Sequence, residues 1–249
     1  MRRKLIAGNW KMNCLKSDGI ALAKSVFEKT NGTLPFDVLI CPPMTLLGAV
    51  AELPHQIGVG AQDIAVTPKA MGAFTGDVSA EMVKDLGATH TLIGHSERRA
   101  MHGETDEVVC AKSENAIKAG LTAVICVGET LEEREAGKAI EVVTQQIRGS
   151  VPAIANAENC IIAYEPVWAI GTGKVPTTAD VAEIHGAVRS ELSKVLGADI
   201  ADKMRILYGG SVKPSNAKEL LSVPDVDGAL IGGASLKAED FWAIAETQL

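Results

Sequence analysis

A glutamate follows an apolar run near the middle of the chain, and its surroundings suit a general base. Residues 161–164 are Ile-Ile-Ala-Tyr, and Glu165 and Pro166 come directly after them. Proline fixes its own φ and restricts the preceding residue to extended conformations, so the backbone of Glu165 is constrained. A carboxylate held at the end of a strand could remove a proton from carbon, a reaction whose intermediate must be kept from water.

The segment after Glu165 has the composition of a lid. Val167, Trp168 and Ile170 are costly to leave in water unless they close over something. An ordinary loop that packs on the core is the alternative interpretation of these residues. The predicted lid consists of Pro166, Val167, Trp168, Ala169, Ile170, Gly171, Thr172, Gly173, Lys174, Val175 and Pro176.

A histidine, a lysine and an asparagine follow two other apolar runs. Ser96 comes after His95 and is expected to cap a helix that begins there. The amino end of a helix disfavours a nearby positive charge, so we expect a neutral imidazole that donates a hydrogen bond to a substrate oxygen. Asn9 and Lys11 follow the first run and could stabilise a developing oxyanion. A core histidine and a solvated lysine are the alternatives.

Two glycine pairs occur late in the chain. They are Gly209-Gly210, followed by Ser211, and Gly232-Gly233. Glycine lets the backbone approach a phosphate oxygen closely, and loop N–H groups are suited to bind it. Two tight turns that require positive φ are the alternative. We interpret the two pairs together as a phosphate site.

Short apolar runs alternate with amphipathic stretches along the whole chain. Predicted strands cover 5–7, 38–41, 58–60, 90–93, 123–127, 160–164, 205–207 and 228–231, with helical patterns at 19–29, 105–119, 131–147 and 179–196. Helix caps are predicted at 17–18, 177–178 and 215–216. Eight strand–helix units predict an α/β fold, a closed (β/α)₈ barrel with its chemistry at the carboxyl ends of the strands. The count alone leaves an open doubly wound sheet as an alternative. No linker divides residues 1–249, so we predict a single domain.

The composition narrows the functional classes. The chain has 249 residues, 47% of them hydrophobic, and a formal net charge of −7. That charge argues against a nucleic-acid or membrane surface. The five cysteines are odd in number and scattered, and C-x-x-C and H-E-x-x-H motifs are absent, so we predict no disulfide framework, no metal site and a cytoplasmic setting. The basic start is followed by an apolar run of only three residues, 5–7, so we predict no secretion signal.

These motifs, in this order, resemble the triosephosphate isomerase family along the whole length of the chain. The matching segments are 8–13, 72–76, 93–99, 164–174, 208–212 and 231–236. The resemblance implies interconversion of dihydroxyacetone phosphate and glyceraldehyde 3-phosphate without a cofactor, in glycolysis and gluconeogenesis. Another phosphate-binding barrel, such as a ribulose-phosphate epimerase or an indole-forming lyase, would not be expected to combine all these motifs. A catalytically inactive binding or adhesion protein on the same barrel is the other alternative.

The resemblance also implies a role for each residue. Glu165 is the base, His95 polarises the carbonyl, Lys11 and Asn9 stabilise the enediolate, and Glu97 is a secondary catalytic or orienting residue. The roles of the glutamate and the histidine are the known ones of the family. Main-chain N–H groups are expected to hold the phosphate at Gly171, Ser211, Gly232 and Gly233.

By the same resemblance the chain is expected to form a homodimer. Thr75 would then support Asn9 and Lys11 of the partner subunit, and Cys14 and Arg98 would lie near the contact. Some residues depart from the family pattern. Asp77 replaces the commoner glutamate that pairs with the residue matching Arg98, and Asp63 replaces an asparagine, which is expected to alter the hydrogen bonds of its loop. Pro176 lacks the N–H that in the family bonds the tyrosine matching Tyr208, so we expect Ser211 to contribute more to lid closure.

Overall fold

The computed structural model describes residues 2–170 and 176–249. Eight parallel strands follow one another around a closed barrel, and β8 completes it by pairing with β1. The predicted (β/α)₈ architecture is confirmed, and the open doubly wound alternative is wrong. The strands are β1 (Leu5–Asn9), β2 (Asp37–Cys41), β3 (Gly58–Ala61), β4 (His90–Ile93), β5 (Thr122–Val127), β6 (Cys160–Tyr164), β7 (Ile206–Tyr208) and β8 (Gly228–Ile231).

Helices connect consecutive strands and cover the outside of the barrel. The α-helices are α1 (Lys16–Lys29), α2 (Met44–Ala51), α3 (Ala80–Asp85), α4 (Ser96–His102), α5 (Asp106–Lys118), α6 (Leu131–Glu135), α7 (Ala139–Ser150), α8 (Thr178–Leu196), α9 (Ala198–Ala201), α10 (Pro214–Leu221) and α11 (Ala238–Ala245). Short 3₁₀ helices lie at Val167–Ala169, Gly233–Leu236 and Glu246–Gln248. Within the described residues, none of the helices has the length and apolar character that crossing a membrane requires.

One predicted helix and one predicted helix cap differ from the structure. The single helix predicted over 131–147 is wrong, because α6 ends at Glu135 and α7 begins only at Ala139. Gly137 lies between them with a φ of 70°, the left-handed conformation that ends helices. The cap predicted at 17–18 is also wrong, since α1 begins at Lys16 without a side-chain cap.

The two remaining predicted caps have opposite outcomes. The cap at 177–178 is confirmed, because the Thr177 hydroxyl accepts the N–H of Asp180 at the start of α8. The cap at 215–216 is wrong, because α10 already begins at Pro214. Proline suits the first position of a helix, where its missing N–H needs no partner.

Alternate residues of the strands, except in β3, pack in two separate hydrophobic layers. Along β1, Leu5 and Ala7 lie inside the barrel, whereas Ile6 packs between the strands and the helices. The interior layer consists of Leu5, Ala7, Leu39, Cys41, Leu92, Val124, Cys126, Ile161, Ala163, Leu207 and Leu230. A filled interior leaves the ends of the strands as the places for polar chemistry.

A network of ion pairs lies at the amino end of the barrel, where β7 and β8 begin. Arg189 of α8 pairs with Asp225 at 3.0 Å and with Asp227 at 2.8 Å, and it also donates to two main-chain carbonyls. Arg2 pairs with the same two aspartates. Asp227 Oδ2 also accepts the N–H of Ile206 at 2.9 Å, which fixes the start of β7.

Candidate active site

The carboxyl ends of β4 and β6 bring a histidine and a glutamate into contact. Glu165 comes directly after β6, and only 2% of its surface is exposed. Its Oε1 lies 2.9 Å from Nε2 of His95, and its Oε2 accepts the N–H of Ser96 at 2.9 Å. The predicted base and the predicted imidazole therefore meet through a direct hydrogen bond.

The amino end of α4 differs from the prediction in a way that matters for His95. The cap predicted at Ser96 is wrong, because His95 itself caps the helix and its Nδ1 accepts the N–H of Glu97 at 3.2 Å. Ser96 is the first helical residue, which leaves its N–H free to donate to Glu165. Since Nδ1 is an acceptor, the proton of a neutral imidazole lies on Nε2, facing Glu165.

The surroundings of Glu165 favour its ionised form. Burial raises the pKa of this carboxyl, but His95, the N–H of Ser96 and the charge of Lys11 lower it, and the net shift is downwards. Hydrogen bonds to the charged form and a nearby cation both stabilise a carboxylate. Glu165 is therefore able to accept a proton.

Burial and the Glu165 carboxylate act on the pKa of His95 in opposite directions. Burial lowers the pKa of His95, but the charge of Glu165 and its hydrogen bond raise it, and the net shift is upwards. The N–H of Glu97 opposes a second proton because it needs the lone pair on Nδ1. The sequence predicted a neutral imidazole from the helix end, whereas the net shift of the pKa in this arrangement is upwards. The protonation state of His95 therefore stays a prediction.

Lys11 is held at the mouth of the barrel by side chains of other loops. Its Nζ lies 2.5 Å from Oε1 of Glu97, and its N–H donates to Oδ1 of Asn9 at 3.0 Å. Gln62 donates to the carbonyls of both Lys11 and Cys41 at 2.9 Å. The backbone of Lys11 is left-handed, with a φ of 52°, which is uncommon for a residue with a side chain. Several contacts therefore impose one conformation on this residue.

A cavity of about 680 Å³ opens between these groups and the last two loops of the barrel. It brings together most of the predicted site residues. They are Asn9, Lys11, His95, Glu165, Ser211, Gly232 and Gly233. Glu97 does not line it, but its side chain pairs with Lys11 and its main-chain N–H donates to His95. Among the described residues, no group of three or more His, Cys, Asp or Glu side chains is placed to hold a metal ion.

The two glycine pairs are explained by close contacts and open space. None of the four has a left-handed φ, so the alternative of tight turns that need positive φ is wrong. A Cβ on Gly209 would lie 2.9 Å from Cγ of Glu165, and one on Gly210 would lie 2.2 Å from the hydroxyl of Tyr208. A Cβ on Gly233 would meet nothing within 4 Å, because this residue borders the cavity.

The beginning of the predicted lid packs on a buried glutamate. Val167–Ala169 forms a 3₁₀ helix, and the indole N–H of Trp168 donates to Oε1 of Glu129 at 2.9 Å. The hydroxyl of Tyr164 donates to the same oxygen at 3.1 Å. The other end of the lid, Pro176, is buried. Gly171, Thr172, Gly173, Lys174 and Val175 lie outside the described residues.

Three residues that sequence reasoning missed, Gln62, Glu129 and Gln146, form hydrogen bonds with residues in or next to the site. Gln62 follows β3 and Glu129 lies two residues after β5, so the rule about the carboxyl ends of strands could have found both. Gln146 lies on α7 and bonds both main-chain groups of Gly128. No sequence spacing indicates that contact.

The residues predicted at a dimer contact lie outside the cavity. Thr75 belongs to an exposed segment, and Cys14 is half-buried. Arg98 pairs within its own chain with Asp63 at 2.9 Å and with Glu104 at 2.6 Å. Asp63, expected to change its loop, therefore forms ion pairs instead of the hydrogen bonds of an asparagine amide.

The barrel and its cavity define the class of protein. A carboxylate, an imidazole and a lysine at the carboxyl ends of parallel strands, facing glycine loops after β7 and β8, are typical of a (β/α)₈-barrel enzyme that acts on a phosphorylated small molecule. Comparison with known proteins identifies the particular family. The sequence model of triosephosphate isomerase matches residues 4–248.

Individual relatives agree with the family match. The chain is 56% identical over 246 residues to the triosephosphate isomerase of a Ruegeria species, covering 98% of this chain and 97% of that protein. It is 55% identical over 249 residues to that of Xanthobacter flavus, with the same two coverages. The crystal structure of triosephosphate isomerase from Bartonella henselae superposes with a TM-score of 0.91, at 48% identity and 98% coverage of both chains. The chain belongs to the triosephosphate isomerase family and is an isomerase.

Proposed function

We propose that the chain interconverts dihydroxyacetone phosphate and D-glyceraldehyde 3-phosphate by proton transfer, without a cofactor. The observation that carries the proposal is the contact of Glu165 with His95 and Ser96 beside the cavity that Lys11 also lines. A carboxylate that can take a proton from carbon and an imidazole that can donate a hydrogen bond to a substrate oxygen are both present there. The relatives bear the name of this enzyme, and no comparison supports the inactive alternative.

The reaction moves two hydrogens between neighbouring atoms. Glu165 takes a proton from carbon 1 of dihydroxyacetone phosphate, and the electrons of that bond form the double bond of an enediolate. The protonated carboxyl then returns the proton to carbon 2, while the hydroxyl proton moves from the oxygen on carbon 1 to the oxygen on carbon 2. The total of atoms and charge is unchanged, so no oxidant or reductant is required.

The polar partners of Glu165 at rest explain how its basicity can rise during the reaction. His95, Ser96 and Lys11 lower the pKa of Glu165 in the present arrangement. Movement towards the substrate carbon removes the two hydrogen bonds and leaves burial, which raises the pKa of the carboxyl. The pKa of His95 falls at the same time, because the charge that raised it has moved away. The imidazole is then neutral and donates from Nε2 to the substrate oxygen.

Lys11 and Asn9 stabilise the enediolate from the other side. The ammonium group is directed by Glu97, at 2.5 Å, and the lysine backbone by Asn9 and Gln62. A cation fixed before the reaction stabilises developing negative charge without reorganisation. Glu97 therefore orients the lysine and does not itself contact the substrate.

The phosphate lies against the loops after β7 and β8. Ser211, Gly232 and Gly233 border the cavity opposite Glu165, and their main-chain N–H groups bind the phosphate oxygens. Gly171 is the fourth proposed donor and lies outside the described residues. Closure of segment 166–176 would exclude water and protect the enediolate from loss of phosphate.

Coupled turnover of glyceraldehyde 3-phosphate by the purified chain, compared with Glu165→Asp, tests this function. The shorter side chain withdraws the carboxylate by about 1 Å, so we expect kcat to fall by about 100-fold. Fast turnover by the wild type with that loss would support both the reaction and its base. A folded wild-type chain without turnover would refute the proposal and favour the inactive binding protein.

The functional unit is a homodimer of one-domain chains. Exposed apolar side chains of Met12, Leu15, Met71, Phe74 and Met101 would be covered by a second copy. A cavity of about 560 Å³ lined by Met12, Gly76 and Arg98 is able to receive the partner's segment around Thr75.

Light scattering tests the homodimer directly. It should give twice the 26.1 kDa of one chain, and Thr75→Arg should shift the mass towards one chain. A wild type that stays monomeric at micromolar concentration would contradict the dimer.

Two expectations about the cysteines belong to the same proposal. All five thiols are free, which suits a reducing compartment such as the cytoplasm. Burial, followed by the charge of Asp18, raises the pKa of Cys14, so this thiol is not intrinsically activated. Modification of Cys14 should accelerate on dilution to monomers if it lies at the dimer contact, and unchanged kinetics would count against that position.

A further inference from the structure

The backbone of Glu165 lies against that of Gly128, the residue that directly follows β5. The carbonyl of Val127, the last residue of β5, accepts the N–H of Glu165 at 2.7 Å. A Cβ on Gly128 would lie 1.7 Å from the carbonyl oxygen of Glu165, a distance that no side chain could occupy. The φ of Gly128 is not left-handed, so glycine is required here by close approach and not by a turn. The main chain of the base therefore rests directly on that of Gly128.

The side-chain amide of Gln146 forms hydrogen bonds with Gly128. Its Oε1 accepts the N–H of Gly128 at 2.7 Å, and its Nε2 donates to the carbonyl of Gly128 at 3.2 Å. These two groups belong to the peptide units before and after Gly128, so a single side chain fixes both. The residue comes from α7 and is half-buried, and it does not line the cavity.

The restraint continues from Gly128 to the beginning of the lid. Glu129 follows Gly128, and its carbonyl accepts the N–H of Val167 at 3.1 Å. Its side chain accepts from Tyr164 and Trp168, which stand on either side of Glu165 and Pro166. Residues 128 and 129 thus form the surface against which the base and the first lid residues are placed.

We propose that Gln146 is a positioning residue for the proton transfer, acting on Glu165 through the backbone of Gly128. The inference rests on the proposed function, in which Glu165 is the base. Without the amide, the peptide units around Gly128 lose the partners that orient them, and the base loses a fixed support. Proton transfer is sensitive to such a change, because a displacement of about 1 Å costs about 100-fold in rate.

The first test compares Gln146→Met with Gln145→Met in kcat and KM. Methionine keeps the length of glutamine without its hydrogen bonds, and Gln145 is the exposed neighbour on the same helix. For Gln146→Met we expect kcat to fall about tenfold, with KM within about twofold because the substrate contacts are untouched. Gln145→Met should behave like the wild type. A kcat of Gln146→Met within about twofold of wild type would overturn the proposal.

The second test uses Gln146→Glu across a range of pH and also serves if Gln146→Met fails to fold. A protonated carboxyl can accept from one peptide and donate to the other, whereas the ionised form can only accept. The ratio of its kcat to that of the wild type should therefore fall as pH rises through the pKa of the introduced carboxyl. A ratio independent of pH would indicate a merely structural role and overturn the proposal. Failure of the proposed function itself would differ, because the wild type would then show no turnover.

Discussion

At the amino end of the barrel, Arg189 has its donors engaged by Asp225, Asp227 and two main-chain carbonyls. At the carboxyl end, Glu165 and His95 are as deeply buried but face a cavity of about 680 Å³. We call these two regions the floor and the mouth. Both bury charge, and buried charge is costly unless hydrogen bonds compensate for it.

The two regions differ in which groups form the hydrogen bonds that compensate for the buried charge. In the floor, side chains of opposite charge satisfy one another, and little hydrogen-bonding capacity remains for a ligand. In the mouth, Glu165 is held by Ser96 and His95, and a substrate could take the place of these partners. Substitutions in the floor should therefore change stability, and substitutions in the mouth should change turnover.

Replacement of the base should give the largest effect. In Glu165→Gln the amide oxygen can still accept the N–H of Ser96, but no proton acceptor of suitable basicity remains. We expect kcat to fall by about 10³-fold or more, with a nearly unchanged thermal midpoint. Steady-state kinetics and thermal unfolding on the same preparation would check this. A loss below about tenfold would place the base elsewhere.

Removal of the central cation of the floor should have the next largest effect. Arg189→Met leaves Arg2 as the remaining ion-pair partner of Asp225 and Asp227 among the described residues, and we expect the free energy of unfolding to fall by about 3–5 kcal/mol. The kcat of the folded fraction should stay as in the wild type. Arg148→Met is the matched control, because its pair with Glu191 is largely exposed on the arginine side and should be worth under about 1 kcal/mol. Equal losses of stability in the two variants would contradict the distinction.

The pH dependence of stability should depend on a histidine beside the floor. His185 is fully buried, bonds the carbonyl of Asp225 at 3.0 Å, and packs edge-on against Tyr164. Burial lowers the pKa of His185 to about 4. The unfolded chain binds a proton near pH 6.5, so this stability is complete above pH 6.5 and is lost as pH falls towards 4.

The loss from His185 should approach about 3 kcal/mol as pH falls to about 4 and below, where the folded chain also binds the proton. Urea unfolding at several pH values between 7.5 and 4.5 would measure it. His185→Gln should reduce the dependence on pH in this range, since the amide does not titrate. If the slope stays unchanged in His185→Gln, other groups account for it.

A hydroxyl near the lid should give the smallest effect. The hydroxyl of Tyr208 is buried and has no hydrogen-bond partner within residues 2–170 and 176–249. Pro176 has no N–H to offer it, so Tyr208→Phe should change kcat by less than about twofold. Ser211→Ala should cost more, because Ser211 lines the cavity. Turnover of Tyr208→Phe far below that of Ser211→Ala would refute the assignment of lid closure to Ser211.

The architecture and the main site residues could be predicted from the sequence because their signals are local. Apolar runs such as 160–164 define buried strands, and the residue after a strand lies at the mouth. The division of 131–147 was also indicated locally by Gly137, but the helical pattern on both sides concealed it. Helix caps proved less certain, because serine, threonine and asparagine suit the first turn as well as the cap.

The supports of the site could not be predicted, because they depend on contacts between distant parts of the chain. Gln62 reaches the carbonyl of Lys11, and Gln146 reaches Gly128 from a helix. Nothing in the spacing of a glutamine says which backbone it will meet. The resemblance to the family indicated the residues that are expected to touch the substrate, whereas the structure shows what holds them.

The left-handed backbone of Lys11 sets the stability of the chain against the presence of a positive charge at this position. A φ of 52° costs a lysine about 1 kcal/mol or more, whereas glycine or asparagine would adopt it more easily. Neither of these two residues, however, carries the positive charge that Lys11 brings to the cavity. The presence of Lys11 therefore means a small loss of stability together with a positive charge beside Glu97 at the cavity. A descendant released from catalysis would no longer have a reason to retain it.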